Sequence, residues 1–239
     1  MLFETGADGG ALEPRPICEL AFQAIRQTGA ERCITVVSPE KLEVVRVLGA
    51  SQSAMALAYV VQPEPGGIPQ ALACARPWLE NDDVVFAMPD TIVLPADALA
   101  RVHEQRVSSN ADVMLGVFPT DEAERLGPVE IDADGKIVRI HDKPARAPEK
   151  NTWGVASWSP RFTAFCCDWD SSRVATGGEG AIGHAFEAAR AAGLDVRATA
   201  FAAGRFLDIG TPRGLRAALS ALVTQGVLVP DQATTARGR

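Results

Sequence analysis

The chain has 239 residues, enough for one large α/β domain or two small ones. Hydrophobic residues make up 47% and charged residues 22%, the balance of a globular protein with a sizeable core. A net charge of −7, a pI near 5.1 and no basic stripe argue against nucleic acid as a partner. No signal sequence and no bilayer-length apolar run is visible, so no membrane association is expected and the cytoplasm is the default compartment. The five cysteines, Cys18, Cys33, Cys74, Cys166 and Cys167, are odd in number and form no C-x-x-C pair, which speaks against a zinc site or a disulfide framework.

In chain order, residues 1–16 are rich in Gly and Pro and read as loop. Residues 17–28 carry apolar side chains at helical spacing, and Gly29 follows as a C-cap. Residues 32–37 read as a buried strand and 39–48 as a helix closed by Gly49. A strand over 55–61 runs into the stiff loop Gln62-Pro63-Glu64-Pro65-Gly66-Gly67, and a helix over 68–78 leads to a strand over 84–88. This alternation predicts parallel βαβ units with right-handed crossovers. A helix over 96–105 and a strand over 112–118 come next. Residues 129–140 alternate in polarity on both sides of Asp134-Gly135, a hairpin signal. A strand over 153–159, a helix over 182–192, a strand over 196–200 and a helix over 212–222 complete the pattern, with Thr211 as N-cap of the last helix. The hydrophobic strip from Trp153 to Trp158 reads as core in preference to a subunit interface.

Four short stretches carry candidate chemistry. Asp90 ends the run Val84-Val85-Phe86-Ala87-Met88-Pro89, and Asp208 ends Gly204-Arg205-Phe206-Leu207. Acids at the carboxyl ends of buried strands lie where open α/β sheets bind ligands, and a pair of them suits a divalent cation and a phosphorylated substrate. Taken singly, either acid could equally cap the turn after it. In Gln62 to Gly67, prolines stiffen the loop, glycines permit close backbone approach, and a Gln can pair with a nucleobase edge; an ordinary strand-to-helix connector is the plainer alternative. His141-Asp142-Lys143-Pro144 sets an acid beside a cation, suited to sugar hydroxyls and a sugar phosphate or simply to solvent. Leu207-Asp208-Ile209-Gly210-Thr211-Pro212 is a longer string, a turn entering a helix.

In this order the stretches resemble the sugar-1-phosphate nucleotidyltransferase family, and most closely its glucose-1-phosphate thymidylyltransferase branch, over residues 2–222. Val61 to Ala71 is similar to the family's base-receiving loop. Met88-Pro89-Asp90-Thr91 stands where the family has Leu-Gly-Asp-Asn, Asp142-Lys143-Pro144 where it has Glu-Lys-Pro, and Leu207 to Pro212 resembles its second metal-acid motif. Leu126-Gly127-Pro128-Val129-Glu130 and Trp153-Gly154-Val155 resemble strips that face the sugar. The resemblance implies a Rossmann-like (GT-A-like) α/β fold: a mixed, mostly parallel sheet flanked by helices, with a hairpin-containing sugar-binding half. It implies that Gln62 and Gly67 contact the base and that Asp90 and Asp208 hold Mg²⁺. Gly127, Asp142 and Gly154 line the sugar site, and Lys143 neutralises the sugar phosphate, making Lys143 and Asp90 the catalytic pair. The implied substrates are a nucleoside triphosphate and a sugar 1-phosphate, with thymidylyl and glucose at the family's centre. Oligomers are frequent among similar enzymes, which leaves a homo-oligomer open.

The family's opening strand and its G-x-G-T-R-L loop are not matched, so residues 1–224 read as a nucleotidyltransferase-like domain truncated at its N-terminus relative to the family, with 225–239 as a polar tail. Without that strand, two neighbouring strands are expected to keep unpaired edges. The expectation is an in-frame upstream segment that encodes the strand and loop; the alternative is a catalytically impaired sugar-nucleotide-binding or regulatory homologue.

Overall fold

The computed structural model describes residues 2–5, 12–169 and 181–224. The tail expected at 225–239 lies outside the described residues. The N-terminal reading as loop is corrected: β1 (Leu2–Thr5) and β2 (Leu12–Arg15) form an antiparallel pair, Leu2 opposite Arg15. Two short runs can pair into a ladder that composition alone does not reveal.

Next come α1 (Glu19–Gln27), β3 (Arg32–Val37), α2 (Glu43–Leu48, after a 3₁₀ turn at Pro39–Lys41), β4 (Ser51–Gln52), β5 (Met55–Val61), α3 (Gly67–Leu79) and β6 (Val84–Ala87). β7 (Thr91–Leu94) follows Asp90 directly, then α4 (Ala98–Ser109) and β8 (Val113–Pro119). The hairpin is β9 (Val129–Ile131) and β10 (Ile137–Ile140), with Gly135 at φ +78° in its turn. β11 (Asn151–Trp158), α5 (Pro160–Asp168), α6 (Ile182–Ala191), β12 (Val196–Ala200), β13 (Arg205–Asp208) and α7 (Pro212–Thr224) complete the described chain. Thr211 Oγ1 accepts the Gly214 N–H at 3.0 Å, the cap expected at the start of α7.

The architecture is α/β, with mixed sheets flanked by helices. A four-stranded sheet runs β12-β8-β11-β6 and a three-stranded one β3-β5-β4. β3 pairs with β5, and β8 with β12, in parallel; β8/β11 and β6/β11 are antiparallel. Among the described residues, parallel pairing is thus less prevalent than the alternation predicts, because β11 enters between β8 and β6 as a return strand. Successive residues of β8 feed opposite faces. Val113, Leu115 and Val117 pack with Phe162, Phe186 and Trp158 under α3, α5 and α6, whereas Met114 and Phe118 pack with Leu99 and Val102 under α1 and α4. Trp153 and Trp158 are both buried, as core.

Among the described residues, β3 and β6 are each the last strand of their sheet, and they face one another across a cavity of about 580 Å³. Phe22 and Ile25 of α1 line it from one layer, Leu72 and Ala75 of α3 from the other. Arg32, first in β3, pairs with Asp82, just before β6, so the two strands begin at the same end of this seam. Its far end is bordered by Met88 and Pro89, next to Asp90. No helix among the described residues is long and apolar enough to cross a membrane.

Candidate active site

Asp90 lies in the turn between β6 and β7, and Asp208 is the last residue of β13. The two are 118 positions apart in sequence, and the β7/β13 ribbon joins them. Asp208 pairs with Thr91, and the Ile209 N–H donates to the Asp90 carbonyl at 2.8 Å. Gly210 reports the convergence of the side chains: a Cβ added there would lie 3.2 Å from Asp208 Oδ1 and 3.2 Å from Asp90 Oδ2. Asp208 Oδ1 also accepts the Gly210 N–H at 2.8 Å, closing an Asx turn that aims the carboxylate. Both acids are exposed, so both stay hydrated while facing one small volume. Oxygen donors with room for water are the set a hard divalent cation takes, so the residues present fit Mg²⁺. Among the described residues no cluster of three or more His, Cys, Asp or Glu is placed to hold a metal; the acid pair would need water and phosphate oxygens to complete a shell.

Gly127, Asp142, Lys143 and the β11 strip form a second group. The Lys143 N–H donates to Leu126 O at 2.9 Å, the Trp153 N–H to Gly127 O at 3.2 Å, and the Gly127 N–H to Thr152 Oγ1 at 3.3 Å. A Cβ on Gly127 would meet the Trp153 indole Nε1 at 2.6 Å, so a side chain there collides with the buried tryptophan. Asp142 and Lys143 sit in a bend, Lys143 at φ +43°, a backbone state that few non-glycine residues adopt. The Lys143 residue is exposed, free to reach an anion.

Gly154 has a packing reason for its identity. A Cβ there would stand 2.9 Å from both Phe206 of β13 and Val93 of β7, and the β8/β11 register shifts between Trp153 and Val155. The missing side chain lets the β7/β13 ribbon lie against β11. Since Phe206 is two residues from Asp208 and Val93 three from Asp90, this contact couples the acid pair to the β11 strip.

Gln62 and Gly67 are joined directly. Gln62 Nε2 donates to Gly67 O at 3.2 Å and to Gln70 Oε1 at 2.9 Å, and Gly67 opens α3 at φ +80°. Both amide hydrogens are engaged within this loop, which leaves Oε1 as the group Gln62 can offer a ligand. Ile68, the next residue, borders the seam, as does Pro89.

Sequence reasoning passed over His184, in α6. Its Nε2 lies 3.4 Å from Asp142 Oδ2. A single histidine in a helix gives no motif, and only the fold brings it to Asp142.

The nucleotidyl transferase family model matches residues 11–225. The chain belongs to that family. The resemblance to sugar-1-phosphate nucleotidyltransferases is thereby borne out. A glucose-1-phosphate thymidylyltransferase of Neisseria meningitidis is 24% identical over 143 residues, 59% of this chain and 49% of that protein. Another, from an Actinoplanes species, is 30% identical over 132 residues, 55% of this chain and 42% of that protein. The matched region spans about half or less of these curated relatives. Among solved structures, a UDP-glucose pyrophosphorylase complexed with UDP-glucose superposes with a TM-score of 0.72 at 15% identity, over 88% of this chain and 87% of that one. A UTP-bound enzyme of the same kind from Acinetobacter baumannii gives 0.69 at 19% identity, over 88% and 83%. At such identities these two speak for the fold, and the fold they support is the Rossmann-like one expected.

Proposed function

We propose that the protein transfers a nucleotidyl group, thymidylyl in the first instance, from a nucleoside triphosphate to a sugar 1-phosphate, glucose 1-phosphate in the first instance. The observation that carries this reading is the convergence of Asp90 and Asp208 oxygens on one point beside Gly210, on the ribbon that packs against Gly154 of β11. A phosphate oxygen of the sugar 1-phosphate attacks the α-phosphorus in line. The bond from that phosphorus to the α–β bridging oxygen breaks, and pyrophosphate leaves with the electron pair. Asp90 and Asp208 would hold Mg²⁺, which when bound offsets charge on the reacting phosphates. Lys143 draws in the phosphate of the sugar substrate, Asp142 accepts from ring hydroxyls, and Gln62 Oε1 with the Gly67 backbone meets the base. Such chemistry depends on positioning and charge more than on a covalent nucleophile.

Incubation with thymidine triphosphate, glucose 1-phosphate and Mg²⁺ should release pyrophosphate. Asp90→Ala and Asp208→Ala should each lower the rate by roughly 10²–10³. Release undiminished in both variants would remove the acid pair from the mechanism. A second reading is a nucleotide-sugar-binding homologue without turnover. It predicts calorimetric binding of thymidine diphosphate glucose with no pyrophosphate release.

A further inference from the structure

We propose that His184 is a positioning residue for Asp142, and that through it α6 sets how tightly the site holds the sugar ring; this rests on the reading of Asp142 as the sugar-side carboxylate. α6 fastens the strip 140–142 at two points. Glu187 Oε2 accepts the Ile140 N–H at 2.9 Å, and three positions earlier His184 Nε2 stands 3.4 Å from Asp142 Oδ2. Residues at i and i+3 share a helix face, so one face of α6 meets both the end of β10 and the bend beyond it. Arg190 grips Glu187 with two hydrogen bonds, 3.0 and 2.7 Å, which makes the first anchor firm.

The ring of His184 has one consistent arrangement. Nε2 faces a carboxylate, and a bare lone pair there would repel it. Nδ1 is buried with no hydrogen-bond partner among the described residues, so a proton on it would be a stranded donor. Of the two ring nitrogens, Nε2 is therefore the one placed to present a donor toward Asp142, at 3.4 Å. The approach is to Oδ2 of Asp142, and Oδ1 is the oxygen assigned to accept from a hydroxyl. The bend that carries Asp142 is exposed and held by few backbone bonds, the Lys143 N–H to Leu126 O among them. Without His184 the carboxylate would have to be ordered at each binding event, which weakens binding without changing the contacts made.

Calorimetry on the purified chain tests this, with thymidine diphosphate glucose as the probe and thymidine triphosphate, which lacks the sugar, as the control. His184→Ala should weaken the sugar nucleotide by about tenfold and leave the triphosphate unchanged. His184→Gln, whose amide can still donate, should recover part of the loss. The double variant with Asp142→Asn should be little worse than Asp142→Asn alone, because the two act as one unit. Thermal melts of each variant check folding, and if His184→Ala melts early the Gln variant carries the comparison. Wild-type affinity in His184→Ala beside a loss in Asp142→Asn overturns the inference while the sugar-site reading stands, and so do strictly additive losses. Normal binding by Asp142→Asn, or no binding of the sugar nucleotide by the wild type, overturns the sugar-site reading and the inference with it.

Discussion

The closed sheet and the open seam use the same kinds of residue to different ends. In β12-β8-β11-β6 each interior strand has a partner on both sides, and Trp158, Phe162 and Phe186 pack on it with no exposed surface. Trp158 Nε1 also donates to Thr163 Oγ1 at 3.0 Å, so its one polar group is satisfied. Between β3 and β6 the flanking helices supply equally apolar side chains, yet no described strand lies between the edges. Apolar layers alone do not close a sheet, because each strand edge also carries backbone groups that need partners. The closed half holds the β11 strip and, through Gly154, the ribbon that carries the acid pair. The seam ends at Pro89, beside one of those acids.

Four measurements would break or sharpen this contrast. The largest effect is expected from Trp158→Ala, about 3–5 kcal/mol of stability by urea unfolding, as for large aromatics in tight cores. Phe22→Ala, at the seam, should lose about 2 kcal/mol or less, since the cavity beside it is already open; equal losses would mean that the two regions pack alike. Gly154→Ala comes next, at about 1–3 kcal/mol from overpacking against Phe206 and Val93. It should also weaken Mg²⁺ binding, measured by calorimetry, by shifting the β7/β13 ribbon; unchanged metal affinity would uncouple the ribbon from the acid pair. Glu187→Gln should cost about 1 kcal/mol and loosen the hairpin by hydrogen exchange at Ile140. Burial pushes the Glu187 carboxyl up, but hydrogen bonds from Arg190 and the Ile140 N–H outweigh it and hold the carboxyl below its usual range. Its contribution is therefore full above the unfolded pKa and is lost as pH falls through the lower folded one. The smallest effect concerns His103, whose Nδ1 lies 2.9 Å from Ser157 Oγ on β11. Burial, with Arg106 nearby, pushes this imidazole below its ordinary range. Stability should then decline modestly as pH drops from about 6.5 toward the depressed value, and His103→Gln should flatten that part of the pH–stability curve.

Much of the site was legible because its motifs are local. The Asx turn at Asp208, the cap at Thr211 and the loop joining Gln62 to Gly67 each depend on residues a few positions apart. The segment after Asp90 was less legible. The Asp90-Thr91 pair signals a turn, and the turn is there, but β7 begins at once because β13 provides its ladder partner from over a hundred residues away. Helix α5, over Pro160–Asp168, also went unread; its Phe162 and Cys166 are buried against the sheet, and burial pushes the Cys166 thiol up to about 12. Gly154 resembled a pocket-lining residue, whereas the structure shows first a packing need.

By itself the sequence determined the alternation of helices and strands, the hairpin at Asp134-Gly135 and the two acid motifs, since periodicity, turn chemistry and capping act over a few residues. Only the tertiary structure decided that Asp90 and Asp208 face one point, that His184 reaches Asp142, and that β3 and β6 border a seam. Each of these depends on which strands pair, and pairing is settled by long-range burial and edge satisfaction rather than by any local preference.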